Sequence, residues 1–163
     1  MAKNKEEKTN VMRVLEQKKI AYTPHSYPHE EGIAVDGVTV AQSMGFDPAI
    51  VFKTLVARGA SKQYYVFDVP VAENLALKKA AKAVGEKSIE MIHQKELLPL
   101  TGYVHGGCSP VGMKKLFPTV IDASAENLAA MIVSAGKIGY QVELSPRDLA
   151  ALVRAKFADI IVE

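Results

Sequence analysis

The sequence predicts a single domain of the mixed α/β class. Helical and strand-like segments alternate along the chain, and two adjacent apolar segments are joined by a short turn, as in a β-hairpin. The 163 residues contain neither repeats, low-complexity segments nor an evident linker. A chain of this length can bury one substantial core. We therefore expect one domain over residues 1–163.

The first fifty residues are predicted to contain a helix, a strand, a loop and two short helical segments. Val11, Val14 and Leu15 recur at helical spacing and define one apolar face. Gly45 suits the C-cap of the second helix, and Asp47, followed by proline, suits an N-cap. In chain order we expect a helix over residues 9–19, a strand over 22–27, a polar loop over 28–37, a helix over 39–44 and a turn of helix from Asp47.

The middle of the chain predicts a β-hairpin followed by a helix. Two apolar segments, residues 52–58 and 63–70, flank the turn over residues 59–62, an arrangement typical of a hairpin. Residues 72–84 are rich in alanine and lysine, which favour helix, and Gly85 follows as a C-cap.

The last third of the chain is predicted to be rich in strands. Ser145 and Pro146 suit the cap and first position of a helix that runs to Arg154. The other expected elements are a helical piece at residues 93–98, strands at 102–105, 119–122, 130–134 and 139–144, a short helix from Ser124, and a closing strand at 160–162.

Composition and charge argue against several classes of protein. The chain is 48% hydrophobic and 23% charged, which is typical of a soluble globular protein, and its net charge of +2 is too small to indicate nucleic-acid binding by itself. Its one cysteine, Cys108, excludes an internal disulfide and suits a reducing compartment. We find no signal peptide and no segment near the roughly 18 apolar residues of a membrane span. We expect a cytoplasmic protein.

The most distinctive motif is the paired glycine Gly106-Gly107, within the sequence GYVHGGCSPVG at residues 102–112. Paired glycines let a ligand approach the backbone closely, and successive N–H groups can hold an anion or a developing oxyanion. The alternative is a plain turn, since Gly-Gly followed by Ser-Pro is common in turns.

Two further polar features interrupt apolar segments. Lys53 lies within the apolar sequence of the first hairpin strand, where a buried ammonium group is costly unless it faces a polar cavity. Such a lysine can bind a carbonyl, carboxylate or phosphate; the alternative is an outward-facing strand residue. Residues 134–139, SAGKIG, form a second glycine cluster in which Ser134 supplies a hydroxyl donor, although the spacing is not that of a phosphate-binding loop.

Metal-site and cysteine-nucleophile interpretations receive little support. His25 and His29 have helical spacing for two ligands, but Pro24 and Pro28 argue against a helix there, so we predict a surface loop and no metal. Cys108 lies three positions after His105. On a strand this spacing places side chains on opposite faces, so a small buried thiol is favoured and a Cys–His nucleophile is the alternative.

Four blocks of the sequence together resemble the YbaK/EbsC family of Cys-tRNA(Pro) deacylases, relatives of the editing domain of prolyl-tRNA synthetase. They are FKTL at residues 52–55, LKKAAK at 77–82, the segment 101–112 and the segment 136–149. The blocks occur in the family's order, and the match covers about residues 11–162. The resemblance implies a single mixed α/β domain whose barrel-like sheet is flanked by helices, with a pocket for the aminoacylated 3′ end of a tRNA.

The resemblance also implies the chemistry and the residues of the site. The thiol of the substrate cysteine attacks its own ester carbonyl and expels the tRNA, so the enzyme needs no cofactor and supplies proximity and charge stabilisation. The implied catalytic residues are Lys53, Gly106 and Gly107. The implied substrate-binding residues are Tyr27, Thr54, Asp68, Ser134 and Gly136.

Basic residues are the candidate contacts to RNA. The resemblance implies that Lys78, Lys79, Lys82 and Lys137 bind tRNA, whereas by themselves Lys78 and Lys79 would be interpreted as a solvated helix face. Lys87, Lys114 and Lys115 extend this set. The expected partners are tRNA(Pro), tRNA(Cys) as a second substrate, and prolyl-tRNA synthetase in a transient complex, with neither DNA nor membrane. The alternatives are a deacylase for alanine or other small residues and a non-catalytic module that binds a small ligand or a synthetase.

Overall fold

The computed structural model describes residues 8–163, which form five α-helices and eight β-strands. The helices are α1 (Asn10–Gln17), α2 (Gly37–Met44), α3 (Leu77–Val84), α4 (Gln94–Thr101) and α5 (Pro146–Val153). The strands are β1 (Tyr22–Ser26), β2 (Phe52–Gly59), β3 (Tyr64–Pro70), β4 (Ile89–Met91), β5 (Thr119–Asp122), β6 (Met131–Ser134), β7 (Tyr140–Leu144) and β8 (Lys156–Ala158). Short 3-10 helices occupy Pro48–Ile50 and Ala123–Asn127.

The strands form two sheets. One is antiparallel, in the order β1-β7-β6. The other is mixed, in the order β4-β2-β3-β5-β8: β2 is antiparallel to β4 and β3, whereas β5 is parallel to β3 and β8. The mixed α/β class is confirmed, but the barrel-like sheet is not a closed barrel. Within residues 8–163 the two sheets are joined by one parallel bridge between Val51 and Ile132, whereas closure would require continuous pairing around the sheet.

The predicted hairpin is confirmed as β2 and β3. Their register places Thr54 opposite Asp68 and Phe52 opposite Pro70. The turn is closed by a hydrogen bond from the Lys62 N–H to the Gly59 carbonyl. β4 pairs with β2 only from Ala57 to Gly59, so the first half of β2 borders the other sheet instead.

Helices cover the sheets with apolar faces. The face of α1 that carries Val11 and Leu15 packs with Leu149 of α5 against the antiparallel sheet. Ala80 and Ala81 of α3 pack in a second cluster with Phe67 of β3. Burial of these side chains removes apolar surface from water, which is the main favourable contribution to folding. No helix in residues 8–163 is long and apolar enough to cross a membrane.

The capping residues act as predicted. Asp47 accepts from the Ala49 N–H, and Ser145 accepts from the Asp148 N–H at the start of α5. Thr9, near which the first helix was expected to begin, caps α1 by accepting from the Met12 N–H. Gly45 and Gly85 end their helices at φ of 79° and 74°, a left-handed conformation that glycine adopts readily. α3 nevertheless begins at Leu77 rather than at residue 72, because residues 71–76 form a connection that bridges to Ile161 through Leu75.

Two strand predictions were wrong. Residues 102–105 do not form a strand, because α4 continues to Thr101, whose hydroxyl donates to the Leu97 carbonyl, and Gly102 then turns the chain at φ 90°. The closing strand lies at β8, not at residues 160–162, where Ile161 makes one isolated bridge. The three-residue β4 was not predicted, since so short a segment has no detectable alternation.

Candidate active site

A cavity of about 360 Å³ lies between the two sheets, beside the first half of β2 and next to the Val51–Ile132 bridge. Strands β2, β6 and β7 contribute side chains from both sheets, and the segments at residues 34–37 and 105–106 contribute from two connections. The predicted site residues that line it are Tyr27, Lys53, Thr54, Gly106 and Ser134; Asp36, His105, Cys108 and Gln141 line it as well. The topology thus brings together residues that are more than a hundred positions apart in the chain.

Lys53 is half-buried at the cavity and does not point away into solvent. Burial lowers the pKa of its ammonium group, while the carboxylates of Asp36 and Glu73 act in the opposite direction. Partial desolvation makes a cation a stronger partner for an anionic or polarised ligand group. Lys53 is therefore placed to bind a carbonyl or phosphate oxygen inside the cavity.

Thr54 connects the cavity to a buried carboxyl group. Its hydroxyl donates to Oδ1 of Asp68 at 2.6 Å, and Asp68 is fully buried. Oδ2 of Asp68 has no hydrogen-bond partner within the described residues. Burial raises the pKa of Asp68 to about 7, with the Thr54 hydrogen bond acting against this rise. Because Thr54 donates its proton to Asp68, its oxygen can act as an acceptor toward the cavity.

Ser134 is the last residue of β6 and can supply a hydrogen-bond donor to the cavity, whereas Thr54 can supply an acceptor. Its Oγ accepts from the Gly136 N–H at 3.0 Å, so the hydroxyl proton can be donated to a ligand. Gly136 itself does not line the cavity, and its contact with Ser134 is this hydrogen bond.

The paired glycines differ in their positions. Gly106 lines the cavity at φ 90°, and a Cβ atom there would lie 2.7 Å from the Cβ of Ala34. Gly107 is outside the cavity lining, and its N–H donates to the Val104 carbonyl at 3.0 Å. Of the two predicted glycines, only Gly106 therefore lies in the cavity lining.

Tyr27 follows β1 and is buried at the cavity. Its N–H donates to the Gly139 carbonyl, and burial raises the pKa of its phenol. His29 lies behind it, with Nδ1 2.8 Å from the Tyr27 carbonyl oxygen, whereas Nε2 of His25 pairs with Glu143 at 2.8 Å. In residues 8–163 no cluster of three metal-ligating side chains was found.

Cys108 is a buried thiol, as predicted, but it and His105 do not lie on opposite faces of a strand. Since residues 102–105 are not a strand, Cys108 and His105 both line the cavity. Burial raises the pKa of the Cys108 thiol to about 12, reinforced by Asp68, although a hydrogen bond with Thr101 opposes this. A thiol in this environment stays protonated at neutral pH and is a poor nucleophile.

The four predicted RNA contacts lie outside the cavity. Lys78 and Lys82 border a separate groove with Leu77 and Lys87. Lys79 instead pairs with Asp159 at 3.0 Å and Glu163 at 3.4 Å, and donates to the Ile161 carbonyl. Lys137 follows β6, with its ammonium 5.6 Å from the centre of the Tyr140 ring.

Asp36 and Gln141 also line the cavity, and neither was predicted as a site residue. Asp36 caps α2, a structural role that explains an aspartate there without any ligand. Gln141 is a buried polar residue in β7, one position from the buried Val142. The only available signal was an uncharged polar residue within an apolar strand, and many solvent-facing positions share that pattern.

Comparison with known proteins identifies the class to which this fold and cavity belong. Residues 34–152 match the model of the aminoacyl-tRNA editing domain. The chain therefore belongs to the aminoacyl-tRNA editing domain family, as the four sequence blocks predicted. It is 45% identical over 161 residues to an Enterococcus faecalis protein provisionally named Cys-tRNA(Pro)/Cys-tRNA(Cys) deacylase EbsC, and the match covers 98% of each chain.

Two solved structures resemble the whole domain. One is described provisionally as a trans-editing enzyme for prolyl tRNA synthetase; it is 25% identical with a TM-score of 0.79, over 94% of this chain and 95% of that one. The other, hypothetical protein APE2540, is 20% identical with a TM-score of 0.82, over 93% and 99%. The second likeness supports the fold alone.

Proposed function

We propose that the protein is an aminoacyl-tRNA deacylase that acts in trans in the cytoplasm and removes cysteine from Cys-tRNA(Pro) and Cys-tRNA(Cys). The observation that carries the proposal is the half-buried Lys53, which faces a cavity shared with the backbone of Gly106. The 45% identical relative with a deacylase name and the trans-editing structural neighbour support the substrate class. Editing is needed because the aminoacylation site of a synthetase rejects an amino acid of nearly the same size and shape only weakly.

In the proposed reaction the substrate supplies the nucleophile. The sulfur of the esterified cysteine attacks its own carbonyl carbon; the C–S bond forms and the bond to the ribose oxygen breaks. The thiol proton passes through solvent to the ribose oxygen, which leaves as the tRNA 3′-terminal diol. Water then opens the cyclic thioester to cysteine. A thiol with an ordinary pKa near 8.5 is partly ionised at neutral pH and strongly nucleophilic.

The cavity residues stabilise charge in this reaction. Lys53 binds the carbonyl oxygen or the terminal ribose-phosphate, and the Gly106 backbone and the Ser134 hydroxyl face the developing oxyanion. Such donors contribute most where water is excluded. Tyr27 closes one side of the cavity, and Asp68 fixes the orientation of Thr54. Gly107 and Gly136 support the loops that carry Gly106 and Ser134.

The protonated state of Cys108 supports substrate-derived attack over a protein nucleophile. Its pKa of about 12 leaves a negligible thiolate fraction at neutral pH. In contrast, the substrate thiol enters an open cavity that also contains the Lys53 ammonium group. A nearby cation lowers the pKa of a thiol and favours the reactive thiolate.

Lysines outside the cavity extend the proposed contacts to tRNA. Lys78 and Lys82 border one groove, and Lys137 lies beside the Gly107 loop. Lys79 is engaged with the C-terminal carboxylates and contributes less. So few phosphate contacts give weak, salt-sensitive affinity. A transient complex with prolyl-tRNA synthetase, which would deliver the mischarged tRNA, fits this weak intrinsic binding.

Single-turnover deacylation of Cys-, Ser- and Ala-tRNA(Pro) tests the proposal. We expect release of cysteine, little release of serine or alanine, and a loss of roughly 100-fold or more in Lys53→Ala. Lys95→Ala, at an exposed site on α4, is the matched control and should retain full activity. Comparable release of alanine would indicate a broader deacylase that activates water. No release from any substrate would favour a binding module and overturn the proposal.

A further inference from the structure

Gln141 lines the cavity and carries a buried side-chain acceptor. The residue is 7% exposed and lines the cavity from β7, directly opposite Ser134 in the β6–β7 register. Its Oε1 has no hydrogen-bond partner within the described part of the chain. A buried carbonyl oxygen without a partner carries an unfavourable desolvation free energy, which a ligand N–H would offset.

Asp36 brings a negative charge to the same cavity. Among the described residues, the two hydrogen bonds that it accepts both come from Thr39 and both go to Oδ2, at 3.2 Å from the backbone N–H and 3.3 Å from the hydroxyl. Its Oδ1 is not used by this cap. The carboxylate is also the foremost charge that acts on Lys53, which places it within electrostatic reach of the proposed catalytic cation.

Together these groups complement a cation that carries several N–H donors. Gln141 Oε1 and the Asp36 carboxylate are acceptors, and Thr54 Oγ1 is a third, because its proton is donated to Asp68. Lys53, Gly106 and Ser134 supply donors to the same cavity. An aminoacyl ester has a carbonyl group that needs donors and, next to it, an α-ammonium group that needs acceptors.

We infer that Asp36 and Gln141 bind the α-ammonium group of the substrate, so that the site accepts only aminoacyl-tRNA whose amino group is unblocked. This inference rests on the proposed function. N-acylation removes the positive charge and two N–H donors, which leaves the buried Gln141 Oε1 without a hydrogen-bond donor and the exposed Asp36 carboxylate without a counter-charge. Peptidyl-tRNA and other N-blocked esters are thereby protected from hydrolysis.

Binding of two stable probes tests this inference without turnover. The first is 3′-cysteinylamino-3′-deoxyadenosine, in which an amide replaces the ester, and the second is the same compound acetylated at its α-nitrogen. By calorimetric titration of the wild-type protein, we expect the acetylated probe to bind at least about tenfold more weakly, as expected for loss of a charge-assisted hydrogen bond. The wild-type comparison needs no variant, so it does not depend on whether a substitution folds.

Two variants test whether Asp36 and Gln141 cause the difference in binding between the two probes. Asp36→Asn retains an N-cap acceptor for α2 but loses the charge, and Gln141→Met retains the side-chain length but loses the carbonyl. Each should weaken binding of the amine probe by about fivefold or more and leave the acetylated probe unchanged. Asp47→Asn is the matched control, because Asp47 caps another helical turn and lies outside the cavity.

Three outcomes would overturn the inference: equal binding of both probes, equal weakening of both probes by the variants, or no binding of either probe to the wild-type protein. Deacylation of Cys-tRNA(Pro) is measured in parallel on the same preparation. Amine-dependent binding without deacylation would overturn the proposed function and uphold recognition of the ammonium group. Deacylation of Cys-tRNA(Pro) together with equal binding of the two probes would uphold the proposed function and overturn recognition of the ammonium group.

Discussion

Thr54 and Asp68 face each other across the β2–β3 ladder, and the Thr54 hydroxyl donates to Oδ1 of Asp68 over 2.6 Å. Asp68 is fully buried, its other oxygen has no partner in residues 8–163, and burial raises its pKa from 3.8 to about 7. The carboxyl group is therefore neutral in mildly acidic solution, where an exposed aspartate would be ionised. Stability must then depend on pH through this one group.

Asp68→Asn should remove this dependence. Between pH 3.8 and about 7 the folded state retains the Asp68 proton that the unfolded state has lost, so the free energy of unfolding falls as pH rises through this window. The full loss is at most about 4 kcal/mol. The variant keeps the acceptor for Thr54 without an ionisable proton, so its advantage over the wild type should grow with pH. Urea denaturation of both proteins from pH 4 to pH 8 measures the difference.

The other ionisable groups are common to both proteins, so their contributions cancel in the difference. If the free energies of unfolding of the two proteins change in parallel between pH 4 and pH 8, Asp68 has an ordinary pKa in the folded protein. If the advantage of Asp68→Asn over the wild type shrinks as pH rises, folding lowers the pKa of Asp68.

Much of the fold could be predicted because its signals are local. The hairpin turn at residues 59–62, the caps at Asp47 and Ser145, and the C-cap glycines Gly45 and Gly85 are each defined within a few residues. These features fix where elements begin and end. The strand expected at residues 102–105 failed because Thr101 and Gly102 extend and close α4, so apolar residues after a helix were mistaken for a strand.

The site was only partly predictable, because its geometry depends on contacts between distant segments. Lys53 and Gly106 were found through unusual local sequence, and both line the cavity. The position of the cavity between the two sheets, beside the first half of β2, could not be predicted from the sequence of either sheet alone. Gln141 was missed for this reason: a glutamine in a strand indicates exposure unless the covering elements are known.

Gly106→Ala should impair both catalysis and folding stability. A Cβ atom would lie 2.7 Å from the Ala34 Cβ and 3.1 Å from its Cα, so the 34–37 segment that lines the cavity would have to shift. The φ of 90° adds strain in any case. Gly102→Ala is the matched control, because Gly102 has the same φ and its nearest neighbours are flexible Lys114 atoms at 3.4 Å or more.

Both variants should lose stability in thermal unfolding, but only Gly106→Ala should lose deacylation activity per folded molecule. Equal activity in the two variants would show that the Gly106 backbone does not contact the reacting ester. Loss of activity in Gly102→Ala alone would point to the α4 terminus instead.

Cys108 should resist alkylation in the native protein. With a pKa of about 12 and little exposure, its thiolate is almost absent at pH 7.5. Iodoacetamide should modify it slowly in the folded protein and rapidly in urea, as followed by mass spectrometry. Cys108→Ala should retain most deacylation activity, because the substrate supplies the sulfur. If Cys108→Ala loses all activity while its unfolding midpoint equals that of the wild type, a protein nucleophile is supported instead.

Lys79 and Lys82 are on the same helix but should differ in function. Lys79 pairs with Asp159 and Glu163 and donates to the Ile161 carbonyl, so it holds the C-terminal segment against α3. Lys82 is exposed and borders the groove with Lys78. Lys79→Ala should lower the midpoint of thermal unfolding, with a smaller effect at high salt. Lys82→Ala should leave this midpoint unchanged.

Binding to tRNA should separate the two lysines in the opposite direction. Loss of one phosphate contact in Lys82→Ala lowers affinity at low salt and reduces the slope of log K against log salt by about 0.7 to 0.9. Lys79→Ala should leave that slope unchanged, since its ammonium group is already neutralised by two carboxylates. Filter binding of tRNA(Pro) between 50 and 200 mM salt, about the range where such contacts dominate, measures both slopes. A reduced slope in Lys79→Ala with none in Lys82→Ala would mean that RNA displaces the C-terminal segment and binds Lys79 directly.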